Sequence, residues 1–474
     1  MNQSCIIWPD EINDIVNATQ SCKSLLHLEL SKGNFSITEC LQNVTTLKIL
    51  NVSQCSGIND DKAKELSTVI SKNSSLVSLD ISHNRLTTFG ATQIAKALQS
   101  VTTLQTFVLN NCEITDEAAK HIATAISYNP QLTELNISWN KLSGVGTSKI
   151  IQCLENCNQL QTIKFAACGV TSKETEAIAT MLSDKTNLRE LDISWNGLKA
   201  DGITAIMKAI CNISYLQVLK FNNCDITDKA AETIASTLVA YYTLMELTIC
   251  HNDFSPSGVA TVINSLQSTS TIKVLTTSNC LFDNSSDDIA TAIGNNCGLV
   301  HLEIYHSHFT THGARLFSRS FTNIHILQHL KLINCNITEE VAGEIATVLA
   351  QNKTIEHLDL SHNPLAAGVT EIVRVLLYNQ ILQVLILQSC SITDESAFDL
   401  VTFAKSTSLV EFDILQNQLT DNGSFIVAKG FMDSLTIKVL KIRDWYKIFH
   451  EGNYEDDNYV LDSLRGKHVS LHLE

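Results

Sequence analysis

The sequence predicts an α/β solenoid: a right-handed horseshoe with a parallel sheet on its concave face and helices on its convex face. Three observations lead there. An apolar pattern, L-x-x-L-x-L-x-x-N/C-x-L, recurs at steps of 27 or 28 residues from Leu76 onward. The L-x-L centre of each copy alternates with period two, as a strand with one apolar face does. Between copies lie segments with apolar residues at helical spacing, such as Ile122 and Ile126.

The copies begin at Leu76, Leu104, Leu132, Leu160, Leu188, Leu216, Leu244, Ile272, Leu299, Leu327, Ile355, Leu382, Leu409 and Ile437, with degenerate copies at Leu25 and Leu47. A lone copy cannot bury its apolar face, whereas stacked copies share a continuous core. This is the pattern of a leucine-rich repeat. Residues 1–24 are expected to form a partial N-terminal repeat, with Ile12, Ile15 and Val16 on a helix that leads into the strand at Leu28. Residues 25–445 hold about sixteen repeats of 27–29 residues, and 446–474 form a C-terminal cap in which Val469, Leu471 and Leu473 alternate and pair with the last strand. No dedicated cap precedes the first repeat. That leads to the expectation of a fragment, or of a chain that lacks an upstream domain.

Each strand leads into a turn and then a helix. Thr115-Asp116-Glu117 and Thr227-Asp228-Lys229 open helices, and Thr171 with Glu174 fits a capping box. A longer period lies over the short one. The ninth position runs Cys55, Asn84, Cys112, Asn140, Cys168, Asn196, Cys224, Asn252, Cys280, Ser307, Cys335, Asn363, Cys390, Asn417. Asn-type copies lead into glycine-containing turns, among them Gly90, Gly146, Gly313 and Gly423. The repeating unit is therefore two unlike copies. This alternation resembles the ribonuclease-inhibitor class of leucine-rich repeats, which includes the cytosolic ribonuclease inhibitors and the C-terminal sensor region of NOD-like receptors. The resemblance spans about residues 20–445. It implies protein binding on the concave face or rims, innate-immune sensing in the receptor case, and structural cysteines at the ninth position.

Composition supports the same reading. Of the 474 residues 44% are hydrophobic and 17% charged, enough apolar material for a large core. Lys and Arg number 33 against 49 Asp and Glu, a formal net charge of −16. That argues against nucleic acid and favours a protein partner of basic character. The N-terminus has no basic segment ahead of an apolar one, and no stretch of about 18 apolar residues occurs. A cytoplasmic chain without membrane contact follows, with its fifteen cysteines as thiols. Cys153 and Cys157 read as ordinary residues of one helix. No G-x-x-x-x-G-K-[ST], H-E-x-x-H or G-x-S-x-G motif is present. The expectation is no catalysis, no cofactor and no metal.

Positions three, five, seven and eight of each copy should face the concave opening, so rows of side chains can be read across strands about 4.8 Å apart. The fifth-position row alternates acid and base, with Asp192–Lys220 and Glu303–Lys331 as neighbours. It is either a self-neutralised ladder or a charge code for a partner. The eighth-position row carries Trp139 and Trp195, two copies and so roughly 10 Å apart. Glu134, Glu190 and Glu246 lie at position three, Asp192 at position five, and Tyr305 belongs to the same candidate surface. Tryptophan beside carboxylates suits a basic partner, and the resemblance to ribonuclease inhibitors implies the same role. Duplication of the two-copy unit is the competing explanation. His301, His329 and His357 occupy position three in consecutive copies. Their spacing allows metal binding or a response to acid but demands neither.

Three functions are compatible. One is the non-catalytic ligand-sensing or regulatory scaffold of a NOD-like receptor. The second is a stand-alone inhibitor of a basic enzyme such as a ribonuclease. The third is a GTPase activator resembling the Ran-type leucine-rich-repeat activators, although the tail here is weakly acidic and Arg85 and Arg443 form no distinctive motif.

Overall fold

Apolar alternation, turn and helical spacing recur in space as they do in sequence: each copy folds as strand, turn and helix. The computed structural model describes residues 25–30 and 41–442, except 42, 56–57, 212, 267–270, 284–286, 297, 378, 407 and 432–433, together with the strands Ser4–Ile7 and Ser470–His472. The expectations for Ile12, Ile15, Val16 and Arg443, and for the segment after residue 445 other than its last strand, lie outside the described residues.

The chain divides into two compact units, Met1–Leu244 and Met245–Glu474. In the first, the strands Ser4–Ile7, His27–Leu30, Ile49–Asn51, Ser78–Asp80, Thr106–Val108, Glu134–Asn136, Thr162–Lys164, Glu190–Asp192 and Val218–Lys220 pair in parallel, each with the next in sequence. Helices such as Asp116–Ser127, Gly144–Leu154 and Lys199–Ile210 form the second layer. In the second unit the parallel strands are Glu246–Thr248, Val274–Ser278, His301–Tyr305, His329–Ile333, His357–Asp359, Val384–Ile386, Glu411–Asp413, Val439–Lys441 and Ser470–His472. The helices there include Thr311–Ser320, Glu339–Gln351 and Asp421–Phe431. Both units are leucine-rich-repeat α/β solenoids.

The core lies between sheet and helices. Leu132, Leu135 and Ile137 from one copy and Ile122 and Ile126 from the preceding helix are all buried. Each such side chain contributes roughly 1.5–3 kcal/mol of transfer free energy. Only the middle residue of a strand such as Glu134–Asn136 is buried. Its flanking residues stand half-exposed on the face turned away from the helices.

The ninth position explains the two-copy period. Asn140 Oδ1 accepts from the backbone N–H groups of Cys112 and Ile114, in the preceding Cys-type copy, at 3.0 and 3.1 Å. Its Nδ2 donates to Leu109 O at 3.0 Å and Ile137 O at 2.6 Å. Asn196 does the same for Cys168 and Val170, and Asn363 for Cys335 and Ile337. The cysteine side chain is shorter and donates one weak hydrogen bond backward: Cys168 Sγ lies 3.2 Å from Ile137 O. Each asparagine thus ties a Cys-type copy to its own, and the thiol links that pair to the one before.

The glycines follow from the same pairing. Asp116 opens a Cys-type helix, yet its carboxylate accepts from Ser143 N at 2.7 Å, from the Ser143 hydroxyl, and acts as a cap for the next helix. A Cβ on Gly146 would lie 2.2 Å from Asp116 Oδ1. The Thr171–Glu174 pair forms as expected, with Thr171 N donating to Glu174 Oε2 at 2.8 Å, but it frames the turn before the helix Thr175–Ser183. Cys157 differs from its expected place, since the helix Gly144–Leu154 ends before it.

Candidate binding face and its relatives

The turn after each strand places position eight in the left-handed backbone region. Trp139 and Trp195 both have φ of 60°, and Ala167 between them 51°. The backbone is held there by the ladder: Trp139 N donates to Ala166 O, and Trp195 N to Asn222 O, each at 2.7 Å. Asparagine tolerates this conformation, whereas a bulky side chain does not, at a cost of order 1–3 kcal/mol. Asn111 and Asn223 fill the equivalent place in other copies of this unit. The two indoles are therefore held against the local backbone preference.

Their geometry differs from the spacing expected from sequence. The ring centroids are 5.5 Å apart with planes tilted by 48°. Ala167, between them in the row, carries only a methyl group, which leaves room for the two rings to approach each other. Trp139 remains 51% exposed and Trp195 45% exposed, so the pair forms one continuous aromatic surface open to solvent.

Glu134 and Glu190 open their strands on the same face. Lys164, on the intervening strand, pairs with Glu190 at 2.9 Å. Burial pushes the Glu134 carboxyl above the usual carboxylate range; Lys164 opposes that shift, and Glu190 and Asp80 add to it. Asp192 is turned inward to the chain, its Oδ1 accepting from Ser194 N at 3.0 Å. The strand register sets Asp192 beside Lys220.

The other two expected residues lie in the second unit. Glu246 opens the strand Glu246–Thr248. Tyr305 ends His301–Tyr305 and donates its hydroxyl to Glu303 Oε2 at 3.0 Å; burial first, then Glu303, pushes that hydroxyl well above its ordinary value. Glu303 also pairs with Lys331 at 2.6 Å, as the fifth-position row predicts, and contacts His301 Nε2 at 2.7 Å.

Sequence reasoning missed that the eighth position carries a ring in successive Asn-type copies. The first unit has His83, Trp139 and Trp195; the second has His251, His306 and His362, all at positive φ. His251 lies tilted against Tyr305 and edge-on to His306, with centroids at 5.7 and 5.2 Å. The signal was available as non-glycine, non-asparagine residues at a position whose turn requires φ above zero.

The ninth-position thiols are buried and unpaired with one another. Burial pushes Cys112, Cys224, Cys280 and Cys390 up to about 12, and Cys168 and Cys335 further. Among the described residues no group of three His, Cys, Asp or Glu side chains is placed to hold a metal ion, and no helix is long and apolar enough to cross a membrane.

Residues 22–154 match the PRAME C-terminal domain, and residues 184–207, 212–235, 351–367 and 378–401 match the leucine-rich repeat family. Pig ribonuclease inhibitor is 25% identical over 396 residues, covering 81% of this chain and 86% of that protein. The chain is a ribonuclease-inhibitor-like leucine-rich-repeat protein. It is also similar to mouse NACHT, LRR and PYD domains-containing protein 14, at 26% identity over 305 residues, 62% of this chain and 31% of that protein. Human NACHT, LRR and PYD domains-containing protein 12 is 28% identical over 265 residues, 54% of this chain and 25% of that protein. This ribonuclease-inhibitor-like chain thus matches at most about a third of the length of these two NACHT relatives. A crystal structure of an internalin from Listeria monocytogenes aligns with 89% of the chain at 16% identity and a TM-score of 0.47.

Proposed function

We propose that the chain is a non-catalytic, protein-binding scaffold that works in the cytoplasm as the ligand-sensing or regulatory part of a NOD-like-receptor-type system. Its partner presents a basic surface, which docks on the sheet face of the first unit. Trp139 and Trp195 form the hot spot, with Glu134, Glu190 and Asp192 as the charged surround. The observation that carries this reading is the indole pair, half-exposed and kept at a backbone position that disfavours it. Exposed aromatic anchors beside carboxylates suit an arginine- or lysine-rich surface. Glu246 and Tyr305 are proposed as partner contacts on the second unit's own sheet face.

A second reading, inhibition of a basic enzyme such as a ribonuclease, is favoured by the alignment through 86% of pig ribonuclease inhibitor. The two readings separate by titrating the chain against a pancreatic-type ribonuclease under reducing conditions. Stoichiometric inhibition that is lost in Trp139→Ala/Trp195→Ala selects the inhibitor. No inhibition with excess chain rejects it and leaves the sensing scaffold.

A further inference from the structure

We propose that Glu134 is the carboxylate of the first unit's sheet face that takes an arginine side chain of the protein partner directly, whereas Asp80, Glu190 and Asp192 are held by the chain itself. This rests on the reading of a basic partner docked at the indole pair, and it names the residue that meets the partner's charge.

Asp80, Glu134, Glu190 and Asp192 are the carboxylates on the strands from Ser78–Asp80 to Val218–Lys220. Lys164 and Lys220 are the cations there, so negative charge is in excess on this face. Three of the four acids are committed. Asp80 Oδ1 accepts from the N–H and hydroxyl of Ser82 at 2.9 and 2.6 Å. Glu190 pairs with Lys164 at 2.9 Å. Asp192 Oδ1 accepts from Ser194 N at 3.0 Å. Among the described residues Glu134 has neither a hydrogen bond nor an ion pair at its side chain, although it stands half-buried.

Its surroundings offer no counter-charge. The register sets Thr106 and Thr162 on either side of it. Of the charged groups that face it, Lys164 is taken by Glu190, while Glu190 and Asp80 repel it. Burial, opposed by Lys164 and helped by Glu190 and Asp80, holds the Glu134 carboxyl above its usual range. The ionised group is thus disfavoured in the free chain. Part of its dehydration is met before a partner arrives, so an incoming cation gains a carboxylate without breaking an existing pair. A guanidinium takes both free oxygens at once. Glu190 could bind a cation only by giving up Lys164. Glu134 opens its strand and Trp139 stands in the turn that follows. At about 3.3 Å per strand residue the two are on the order of 10 Å apart, so the partner meets them with two side chains.

The test uses the full chain and a fluorescein-labelled Arg-Ala-Ala-Ala-Arg amide, whose arginines lie roughly 13 Å apart when extended. Gln-Ala-Ala-Ala-Gln amide is the control. Anisotropy is read at pH 7.5 in physiological salt, and the melting temperature of each variant is measured. The expected result is binding above the control that weakens about tenfold in Glu134→Gln and stays within about threefold of native in Asp192→Asn. Glu134→Gln should melt no lower than the native chain, since the charge it removes is disfavoured in the fold. Unchanged binding in Glu134→Gln with loss in Trp139→Asn/Trp195→Asn overturns this proposal and leaves the basic-partner reading standing. So does a loss in Asp192→Asn as large as that in Glu134→Gln. A clear fall in the melting temperature of Glu134→Gln overturns it too, because Glu134 would then hold the fold. No binding above the control, or full binding in the tryptophan variant, overturns both readings.

Discussion

Replacing Asn140 by Ala removes the side chain that ties two copies together. In the native chain its Oδ1 serves the amides of Cys112 and Ile114, both fully buried. Without it, both buried amides lose the acceptor that Asn140 supplies. A buried amide left unpaired costs about 1–3 kcal/mol, so the two together cost roughly 2–6 kcal/mol. The carbonyl side loses less, because Ile137 O keeps the Cys168 thiol at 3.2 Å. Asn140→Ser should recover part of the loss: where serine stands naturally at this position, Ser307 Oγ still accepts from Cys280 N at 3.0 Å. Urea unfolding followed by circular dichroism gives the total change. Hydrogen exchange then locates it, since loss of a tie in a solenoid opens the copies next to it first. The reasoning fails if Asn140→Ala stays within about 1 kcal/mol of the native chain, or if Asn140→Ser is as damaging as Asn140→Ala.

Gly146→Ala should destabilise by about 1–3 kcal/mol, because its Cβ meets Asp116 Oδ1 at 2.2 Å; thermal melting measures it. The Glu303 carboxyl is drawn down to about 2 from 4.5 by His301 and Lys331 against the opposing effect of burial. Its contribution, roughly 3 kcal/mol, is therefore present above pH 4.5 and lost as pH falls toward 2; urea midpoints should decline over that range and flatten in Glu303→Gln. His329 and His357 are lowered bases, so the unfolded chain binds protons more readily. Stability without a partner is full above pH 6.5 and falls below it, and His329→Gln/His357→Gln should flatten that slope in the same melts. Among the described cysteines, maleimide labelling of the folded chain should modify exposed Cys211 first and leave the ninth-position thiols unmodified until denaturant is added; mass spectrometry of peptides reads the order.

The repeat made the fold legible, because a parallel solenoid core needs its apolar residues at fixed intervals, and Leu132, Leu135 and Ile137 announce them. The two-copy period was visible in the alternating Asn and Cys, but its cause was not. It lies in amides of the preceding copy, twenty-six and twenty-eight positions away from Asn140. The glycine alternation likewise depended on a carboxylate, Asp116, that looks like a cap for its own helix and serves the next one. Ser307 marks a place where the pattern breaks, and there Leu281–Phe282 and His308–Phe309 form a small extra sheet with Phe282 and Phe309 stacked at 4.1 Å. At the candidate site, sequence placed the tryptophans in the right row. The approach of the two rings to 5.5 Å depends on side-chain torsions and on a left-handed backbone, which spacing alone does not encode.

The central claim is that Trp139 and Trp195 are kept for binding. Trp139→Asn/Trp195→Asn tests it most directly, since asparagine suits the left-handed backbone and preserves the turn. A partner enriched under reducing conditions is purified, and its affinity for the native and variant chains is measured by calorimetry, with melting temperatures as the check on folding. The account predicts a loss of about 2 kcal/mol or more, roughly thirtyfold, with the fold intact. Equal affinity in a folded variant would contradict it.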